Sequence, residues 1–592
     1  MRWGDFVLME INARDISQIL SELADLMEIK GDNQYRINAY ERAARSLRSL
    51  EEDFEELYRS DRLTEISGVG EGIAAAISEI VEEGSLQDLE ELKRELPDGI
   101  IDLLQIPGLG PKRAHKLFYE LQIGNVRDLK NALEDGAIKD LSGFGKKLEK
   151  KIAEGLRRYR EYQKYLSIDE AEDFYSEITQ FLESTSVEIE EMFPAGSLRR
   201  KKELLKDVDM VVSVDPADQK EIHSELETWQ QIDKVERGET SEEFNDAQIL
   251  ECSLNDGLRL DIFLISPADL PWALFKFTGS DLHLENLRQR AKNQGFDCDT
   301  EGIFCFPDDI DIKEEQDIYR ALDLPYIIPE LREGQGETEA AVCGDLPESP
   351  GLKDIKGDLH VHTNFSDGSQ NLEEMVQGAI ARGYDYLAIT DHSVSLRIAD
   401  GLTPEELARQ AEIIEEMNEK YEEIEVFKGT EADILPSGEL DYSREVLAEL
   451  DLVIASVHSG FNQTELEMTE RIIKAVENPL VDIIGHPQGR LLKSREAYSV
   501  DIEAVIESAA SNRTCLEINS SPSRLDLDDN YARLAGEKGV KMAINTDAHR
   551  TGEYENMIYG INVGRRGWLE KNDIINTYGL TEFKDFVSQR RI

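Results

Sequence analysis

Hydrophobic positions in the first 165 residues recur every three or four residues, which is the spacing that one face of an α-helix produces. The pattern is clearest in ISQILSELADLMEIK (residues 16–30) and in LEELKRELPDGIIDLL (residues 89–104). Amphipathic helices of this kind bury one face against their neighbours. We therefore expect a helical N-terminal region.

The pattern changes after residue 165. Up to residue 265, short alternating runs such as DVDMVVSV (207–214) and LRLDIFLI (258–265) are typical of strands. Residues 266–331 mix short helices with turns, and residues 332–353 are rich in Gly, Pro and Glu, which favours a linker. From residue 354 onward, short apolar runs alternate with helical patterns, which predicts parallel βα units.

Composition narrows the class of protein. The 592 residues include 66 Lys and Arg against 123 Asp and Glu, a formal net charge of −57. Hydrophobic residues make up 40%, and no apolar run approaches the roughly 18 residues of a membrane span. The first residues lack a signal-peptide pattern, and the five cysteines form no CxxC pair. We expect a monomeric, cytoplasmic protein with reduced thiols and no membrane partner.

One region reverses the overall charge, because residues 111–160 carry 13 Lys and Arg against 7 Asp and Glu. It holds two of three segments that share an apolar residue, Gly-x-Gly and a helix start, namely ISGVGEGIAAAI (66–77), IPGLGPKRAHKL (106–117) and LSGFGKKLEKKI (141–152). Glycine permits the turn, and the N–H groups of the next helix bind phosphate. A helix cap explains one copy and a solvated helix face explains basic residues, but three copies favour sequence-independent DNA binding.

These segments resemble the helix-hairpin-helix motif. The resemblance implies that DNA is contacted by the glycines and by the basic residues at the helix starts. A further segment, YRINAYERAARSL (35–47), resembles a helix that binds DNA ends. The DNA-binding candidates are Arg36, Tyr40, Gly68, Gly70, Gly108, Gly110, Lys112, Arg113, Gly143, Gly145 and Lys146.

Three carboxylates lie on two predicted strands. Asp207 and Asp209 are two residues apart, so they point to one face of a strand, and Asp261 lies on another strand. Carboxylates placed in this way can hold paired divalent ions that clamp the attacking and leaving oxygens of nucleotidyl transfer. A surface strand explains an isolated Asp-x-Asp, but the preceding GS-x-RR motif and the later strand aspartate make this pattern specific.

Residues 10–330 resemble the family X DNA polymerases, the group that includes polymerase beta. The resemblance rests on the helix-hairpin-helix copies, the strand carboxylates with GS-x-RR, and FTGS (277–280). It implies nucleotidyl transfer from dNTPs at short gaps in DNA with a 5′-phosphate, and Mg²⁺ or Mn²⁺ as cofactor. It makes Asp207, Asp209 and Asp261 catalytic. The nucleotide-binding residues would be Gly196, Ser197, Arg200, Gly279 and Arg288.

Several positions depart from that family's pattern. Lys206 stands in place of a glycine, Lys276 in place of an aromatic residue before FTGS, and Leu284 in place of an asparagine. These residues surround the nucleotide pocket, so we expect polymerisation to be weakened or altered. Gly72 and Ala76 occupy positions where members with deoxyribose-phosphate lyase activity carry lysines, and that activity needs an amine.

Six of the nine histidines follow residue 355. GDLHVHTNFSDG places His360 and His362 on the same face of a strand, whereas YLAITDHS, VFKGTEADI, LVIASVHS, VDIIGHPQGR and KMAINTDAH each run from a strand into a polar residue. Ligands at the carboxyl ends of successive parallel strands form the active site of a βα barrel. An isolated strand histidine is more often structural, but His, Asp and Glu together suit Zn²⁺ or Mn²⁺.

These contexts resemble the PHP (polymerase and histidinol phosphatase) domain over residues 354–592. The resemblance implies a distorted (β/α)7 barrel with a trinuclear Mn²⁺ or Zn²⁺ centre, in which Glu431 bridges two ions. In family X polymerases with this domain it implies a 3′–5′ exonuclease, with apurinic-site endonuclease activity in some members. Arg490 is a candidate phosphate clamp. The implied ligands are His360, His362, Asp367, His392, Glu431, His458, His486, Asp547 and His549.

The patterns and resemblances together predict a multidomain α+β and α/β protein. Its expected parts are a lyase-like helical domain (1–95), fingers (96–165), a nucleotidyltransferase palm (166–265), a thumb (266–331), the linker (332–353) and the PHP barrel (354–592). Two other hypotheses stay open. The palm is a degenerate module that only positions DNA for the nuclease, or the barrel is a phosphatase for small phosphoesters.

Overall fold

The computed structural model describes residues 13–48, 50, 54–60, 62–97, 99–106, 108–238, 247–255, 257–298, 304–305 and 310–590. These ranges form a helical N-terminal region, a five-stranded mixed sheet, a small helical thumb and a seven-stranded parallel barrel. The predicted fold class is confirmed. Among the described residues, no helix combines the length and the apolar character that a bilayer crossing needs.

The N-terminal region is helical, as the apolar spacing predicts. Its helices are α1 (Ala13–Lys30), α2 (Gln34–Arg48), α3 (Phe54–Arg59), α4 (Glu71–Glu83), α5 (Gln87–Glu95), α6 (Pro111–Leu121), α7 (Val126–Glu134) and α8 (Lys146–Tyr162). Their apolar faces form one hydrophobic core that extends from Ile16 to Leu156. The predicted division at residue 95 therefore falls within a continuous core.

The palm follows as a mixed sheet flanked by helices. Its elements are β1 (Leu166–Ser167), α9 (Ile168–Glu183), β2 (Ile189–Pro194), α10 (Gly196–Arg199), β3 (Leu204–Leu205), β4 (Asp207–Val214), α11 (Gln219–Leu226), β5 (Ile232–Arg237), β6 (Gln248–Leu254) and β7 (Arg259–Ile265). The strand order is β2-β4-β7-β6-β5, and β4 and β7 are parallel. This pairing brings the two strands that carry the predicted catalytic carboxylates side by side.

The thumb contains α12 (Leu270–Thr278), α13 (Asp281–Asn293), β8 (Asp297–Cys298), β9 (Phe304–Cys305) and α14 (Glu315–Ala321). The segment predicted to be a linker also packs here and forms α15 (Glu337–Cys343). Arg332 and Glu337 are fully buried, and Glu337 accepts a hydrogen bond from His283 over 2.7 Å. The linker prediction did not include this helix. An ion pair of Arg332 with Glu315 and the hydrogen bond of Glu337 hold the first part of the segment against the thumb, although its composition is typical of an exposed spacer.

The C-terminal barrel alternates strands with outer helices. Its elements are β10 (Gly357–Val361), α16 (Leu372–Ala381), β11 (Tyr386–Ile389), α17 (Pro404–Lys420), β12 (Glu425–Asp433), α18 (Arg444–Leu447), β13 (Leu452–Ser456), α19 (Glu465–Val476), β14 (Ile483–Ile484), α20 (Ile502–Asn512), β15 (Cys515–Asn519), α21 (Asp529–Glu537), β16 (Met542–Asn545), α22 (Met557–Arg566) and α23 (Leu580–Arg590). The seven strands pair in chain order and all are parallel. A parallel bridge between Val361 and Ala548 joins the first strand to the end of the last. The carboxyl ends of the strands therefore meet in one ring.

Candidate active sites and nucleic-acid interface

Three helix starts in the N-terminal region repeat one backbone geometry. The first glycine of each pair has a left-handed conformation: φ is +79° at Gly68, +101° at Gly108 and +93° at Gly143. The second glycine is the N-cap of the next helix: Gly70 before α4, Gly110 before α6 and Gly145 before α8. A β-carbon on any of these N-cap glycines would meet no described atom within 4 Å. The helix starts are open, as phosphate binding by N–H groups requires.

Charge distinguishes the three helix starts. The first begins with the acidic Glu71, whereas the other two place Lys112 and Lys146 on the surface, Lys112 with 79% of its side chain exposed. Arg113 donates to the carbonyl of its own turn at Gly108 over 2.8 Å, so its guanidinium braces that turn. The second and third motifs therefore offer the phosphate-binding charge that the first lacks.

The two candidates on α2 have different surroundings. Arg36 is half-exposed and pairs with Asp32 and Asp88, at 3.3 and 3.0 Å. Tyr40 is buried in the helical core, with 9% of its surface exposed. The structure therefore gives Tyr40 a packing role, and a DNA contact by either residue stays a prediction.

The palm carboxylates lie together on β4 and β7. Asp209 and Asp261 are direct neighbours across the parallel pair, and Asp207 is two residues before Asp209 on the same strand. Gly196 packs against Asp209 with φ of +50°, and a β-carbon there would lie 1.8 Å from the Asp209 Oδ2 atom. Only glycine fits at this position, which explains the glycine of the GS-x-RR motif.

Without a bound cation, the negative charges of these three carboxylates repel one another. Burial, followed by the charges of Asp207 and Asp261, raises the pKa of Asp209 to about 7. Burial also raises the pKa of Asp261, although Arg259 lies 3.3 Å away and opposes the shift. Buried carboxylates that repel one another are a suitable donor set for a hard divalent ion. The three residues therefore fit Mg²⁺ or Mn²⁺.

Among the predicted nucleotide-binding residues, Gly196 and Arg200 act directly on this cluster, whereas Gly279 and Arg288 lie in the thumb. Ser197 lies on α10, and Arg200, which ends that helix, donates to the Glu333 carboxylate over 2.9 Å and to the Thr278 carbonyl over 2.7 Å. Gly279 follows α12, and Leu284 packs closely against it. Arg288 pairs with Glu285 at 2.6 Å and lines an open groove of about 500 Å³ with Asp281, Leu282 and Leu284.

The positions that depart from the family X pattern lie near the same pocket. The Nζ atom of Lys206 lies 5.7 Å from the centre of the Tyr165 ring, and that of Lys276 lies 5.7 Å from the centre of the Phe277 ring. Both lysines thus contact aromatic faces. Leu284 replaces a polar side chain with an apolar contact to Gly279. Their effect on polymerisation stays a prediction.

The barrel brings all nine predicted metal ligands together. Three overlapping groups have ligand atoms within 4.8 Å of one another: His362, Asp367, His392 and His549; His360, His362 and Asp547; and His392, Glu431 and His458. His486 completes the set, because its Nε2 atom lies 3.1 Å from Glu431 Oε1. These side chains come from the ends of different strands, as the sequence pattern predicts.

Glu431 lies at the centre of this cluster. Its Oε1 atom is 3.2 Å from His458 Nε2, and its Oε2 atom is 2.8 Å from His392 Nδ1 and 3.5 Å from His360 Nε2. Glu431 is buried, and its two oxygens thus face different histidines. This arrangement suits a carboxylate that bridges two ions.

Several of these atoms lack a hydrogen-bond partner among the described residues. They are His360 Nε2, both ring nitrogens of His362, His392 Nδ1, Glu431 Oε2 and His486 Nδ1, and all are buried. Unpaired buried nitrogen and oxygen atoms are costly unless they bind something. The donor set of imidazoles and carboxylates fits Mn²⁺ or Zn²⁺.

Buried carboxylates that the sequence analysis missed orient these ligands. Glu517 Oε1 accepts from His360 Nδ1 over 2.7 Å, and Asp433 Oδ1 accepts from His458 Nδ1 over 2.6 Å. Such bonds fix the ring so that the other nitrogen faces the metal. The sequence indicates these two carboxylates only weakly: Asp433 is two residues after Glu431, and Glu517 lies on the strand LEIN.

The charges of the cluster stabilise one another. Burial lowers the pKa of His360, but Glu517, Asp547 and Glu431 outweigh it and raise that pKa well above its ordinary value. Burial raises the pKa of Glu431, yet His458, His360 and His392 hold it well below the usual range. The carboxylates are therefore ionised and available as ligands.

Two arginines lie near the mouth of the barrel, and only one of them was predicted from the sequence. The guanidinium of Arg490, the predicted phosphate clamp, contacts Glu203 of the palm with Nη1 at 3.1 Å and also bonds the Leu525 carbonyl. Its role with phosphate stays a prediction. Arg524, which the sequence analysis missed, lies 3.7 Å from Asp547 and has a buried Nη1 atom with no hydrogen-bond partner among the described residues.

Comparison with known families agrees with this geometry. Residues 12–86 match a helix-hairpin-helix domain, residues 100–158 a SAM-like helix-hairpin-helix tandem, residues 273–333 the DNA polymerase beta thumb, and residues 358–521 the PHP domain. The matches follow the order of the parts seen in the fold. They cover the N-terminal helices, the thumb and most of the barrel.

Among known proteins, the chain is 38% identical to the DNA polymerase/3′-5′ exonuclease PolX of Bacillus subtilis (strain 168), over 98% of this chain and all of that protein. A probable phosphatase of Thermoanaerobacter sp. (strain X514) is 29% identical over 40% of this chain and 95% of its own length. A probable phosphatase of Caldanaerobacter subterraneus subsp. tengcongensis is 33% identical over 32% of this chain and 75% of its own length. Similarity over the full length joins both halves, so this chain belongs to the PolX family, the family X DNA polymerases that carry a PHP domain.

Proposed function

We propose that this protein is a DNA repair polymerase that fills short gaps and trims 3′ ends with a metal-dependent 3′–5′ exonuclease. The observation that carries this proposal is the presence of two separate centres in one chain, one built from carboxylates and one rich in histidine. One is the palm cluster around Asp209, and the other is the barrel cluster around Glu431. The full-length similarity to a polymerase/exonuclease supports the assignment.

In the palm, Asp207, Asp209 and Asp261 would hold Mg²⁺ or Mn²⁺, which supplies positive charge for the reacting phosphate when bound. Burial and the neighbouring carboxylates raise the pKa of Asp209, and the positive charge of Arg200 opposes that shift. The Arg200 guanidinium therefore acts on the same site and would contact the triphosphate. Gly196 allows α10 to begin directly against Asp209. The chain itself thus provides the ligands, one anion-binding side chain and a fixed backbone approach.

In the barrel, the nine ligand residues would hold Mn²⁺ or Zn²⁺ ions, which polarise a phosphodiester and acidify a water molecule when bound. Glu517 and Asp433 keep His360 and His458 in the tautomer that presents Nε2 to the centre. Arg524 is the cation best placed for a phosphate oxygen, since its unpaired buried nitrogen lies beside Asp547.

DNA reaches these centres through the helical region in this proposal. The open N-caps at Gly110 and Gly145, with Lys112 and Lys146, would bind backbone phosphates without reading sequence. The substrates would be gapped DNA with a 5′-phosphate, free 3′ ends and dNTPs. Cleavage at apurinic sites is a finer prediction, and an abasic duplex included in the same assay tests it.

The test uses a labelled primer on a one-nucleotide gap with a 5′-phosphate, in Mn²⁺, with and without dNTPs. We expect extension that Asp207→Ala abolishes and shortening that His360→Ala abolishes. Each variant serves as the control for the other activity. Shortening without extension under any salt or metal condition would favour a palm that only positions DNA.

A phosphatase for small phosphoesters is the second candidate, because the barrel is similar to probable phosphatases over nearly their full length. The histidine centre alone would serve either reaction. The same preparation should be given a small phosphomonoester. Rapid turnover of that ester without DNA shortening would favour the phosphatase, and we expect the reverse.

A further inference from the structure

One carboxylate at the end of the thumb binds cations from two other parts of the molecule. Glu333 follows the predicted thumb and is largely buried. It lies 2.9 Å from Arg200 Nε and 3.3 Å from Lys202 Nζ of the palm, and 3.1 Å from Arg566 Nη1 of the barrel. The three cations thus meet at a single anion.

Arg566 extends this contact to the backbone of the palm. It lies at the end of α22 with 9% of its side chain exposed. Its Nη1 atom also donates to the Arg200 carbonyl over 3.0 Å, and its Nη2 atom lies 2.7 Å from Asp529 of the barrel. One guanidinium therefore holds both the backbone of Arg200 and the carboxylate that binds the Arg200 side chain.

Arg200 is the residue whose position matters for chemistry. It ends α10, the helix that starts at Gly196 directly against the carboxylate of Asp209. A shift of this short helix would move the guanidinium relative to the palm carboxylates. Small displacements of a substrate-binding group reduce catalysis strongly.

The charge balance leaves Arg200 able to attract an anion. Arg200, Lys202 and Arg566 face only two carboxylates, Glu333 and Asp529, so the negative charge there does not fully cancel that of Arg200. Burial raises the pKa of Glu333, but Arg200 and Arg566 outweigh it and keep the carboxylate ionised. Without Arg566, Glu333 would neutralise a larger part of the Arg200 charge.

We propose that Glu333 and Arg566 are positioning residues for the nucleotide site, so that the PHP barrel supplies part of the support of the polymerase centre. This inference rests on the proposed function, in which Arg200 contacts the triphosphate of the incoming dNTP. Neither residue touches the reacting atoms in this proposal. Both act through Arg200.

The structure offers a matched control on the same helix. Arg565 precedes Arg566 on α22 and also binds a thumb carboxylate, Glu330, over 2.7 Å. Its Nε atom donates to the Pro350 carbonyl, and its recorded partners do not include Arg200 or Glu333. Arg565→Gln therefore breaks a barrel–thumb ion pair without disturbing the proposed positioning contact.

The experiment compares the full-length wild type, Arg566→Gln and Arg565→Gln on a one-nucleotide gap. The primer carries a phosphorothioate at its 3′-terminal linkage to resist the exonuclease. We expect Arg566→Gln to raise KM for the dNTP about tenfold or more, the scale of a lost charge-assisted hydrogen bond, with a smaller change in kcat. We expect Arg565→Gln to keep KM within about twofold of the wild type.

A second comparison separates positioning from loss of structure. If Arg566 acts through Glu333, adding Arg566→Gln to Glu333→Gln should raise KM much less than it does alone, since contacting residues are not additive. Exonuclease activity without dNTPs and thermal unfolding report whether each variant is folded. Equal KM values for Arg566→Gln and Arg565→Gln, or fully additive effects in the double variant, would overturn the inference.

The outcome also distinguishes this inference from the proposed function. A wild type that incorporates no nucleotide would remove the polymerase function, and the positioning role with it. A wild type that incorporates nucleotides while Arg566→Gln retains its KM would leave the polymerase intact and reject only the role of the barrel.

Discussion

At the scale of single residues, the ionised carboxylates of the palm lower the stability of the metal-free protein. Asp209 is partly buried beside Asp207 and Asp261, and burial and these neighbours raise its pKa to about 7 from an ordinary value of 3.8. The folded protein therefore binds more protons there than the unfolded chain between these two values. The contribution of Asp209 to the free energy of unfolding therefore falls as pH rises from about 4 to about 7, and it is lowest above pH 7.

Asp209→Asn should stabilise the metal-free protein at pH 8 by about 1–3 kcal/mol, a part of the full pKa shift because the carboxylates share their charges. The difference from the wild type should shrink as pH falls from 7 towards 4. Thermal unfolding in a chelator measures it. Asp233→Asn, at an exposed strand position, is the control and should show no such dependence.

Glu517 lies outside the predicted ligand set but contacts two of its members, His360 and His486. It is fully buried and accepts from His360 Nδ1, from Asn545 Nδ2 over 2.9 Å and from the His486 N–H over 2.8 Å. Removing such a partner usually lowers metal affinity about 10- to 100-fold.

We therefore expect Glu517→Gln to need about 10- to 100-fold more Mn²⁺ for half-maximal DNA shortening, and to retain less metal after dialysis. Mass spectrometry of bound metal provides a readout independent of activity. Glu507→Gln, on the exposed face of α20 with Lys538 as partner, is the control. An unchanged Mn²⁺ dependence would contradict an orienting role for Glu517.

At the scale of elements, the helix starts after the glycine turns are the proposed DNA-binding sites. The three glycine turns share one backbone geometry, but only α6 and α8 begin with basic residues. Lys116 donates to the Ser142 carbonyl over 3.1 Å and so links the second motif to the third. In the proposed function, these two starts would act as one phosphate-binding surface in a protein whose net charge is −57.

Lys112→Glu or Lys146→Glu should weaken binding to gapped DNA uniformly across sequences. Each should lower the slope of log affinity against log salt by about 1, which is the effect of one lost phosphate contact. Lys130→Glu makes the same charge change on α7, where Lys130 lies 3.6 Å from Glu134, and should leave the slope unchanged. Fluorescence anisotropy over a salt series measures all three. Equal salt slopes for all three variants would indicate that DNA does not bind at Lys112 and Lys146.

At the scale of the whole molecule, the palm and the barrel share one hydrophobic core and several ion pairs. Glu203 faces Arg490 with two oxygens on two guanidinium nitrogens, and Glu170 of the palm pairs with Lys493 at 2.5 Å. Burial raises the pKa of Glu203, and the positive charge of Arg490 opposes that rise. Such a pair fixes the relative orientation of the domains more than it adds stability.

Arg490→Gln should lower the free energy of unfolding by about 1–3 kcal/mol, because it leaves the Glu203 charge without its partner. Glu203→Gln added to Arg490→Gln should restore most of that loss. Thermal unfolding measures stability, and DNA shortening measures function. A docking role predicts that the double variant recovers exonuclease activity, whereas a phosphate clamp predicts that KM for DNA stays high in both.

Strand patterns predicted where the candidate ligands lie, and the resemblances to family X polymerases and to the PHP domain supplied the full sets. The nine barrel ligands follow apolar strands, and parallel strands in a barrel necessarily end at one rim, so the ligands meet. Strand alternation placed Asp207 and Asp209 on one face, and the pairing of β4 with β7 in the structure brought Asp261 beside them. The Gly-x-Gly pattern placed the turns at helix starts. These are local rules, and the fold satisfied each of them.

Tertiary structure alone decided the rest. Asp433 became the partner of His458 because β12 and β13 are neighbours, and Glu517 became the partner of His360 because only β16 separates β15 from β10 where the barrel closes. No local pattern in the sequence predicts either contact. The segment 332–353 has the composition of a spacer, yet ion pairs with distant residues bury Arg332 and Glu337. Glu333 and Arg566 are ordinary surface-type charges in the sequence, and Arg490 was predicted only as a phosphate clamp. Their roles depend on which domain faces them, and that follows from packing between parts of the chain that are hundreds of residues apart.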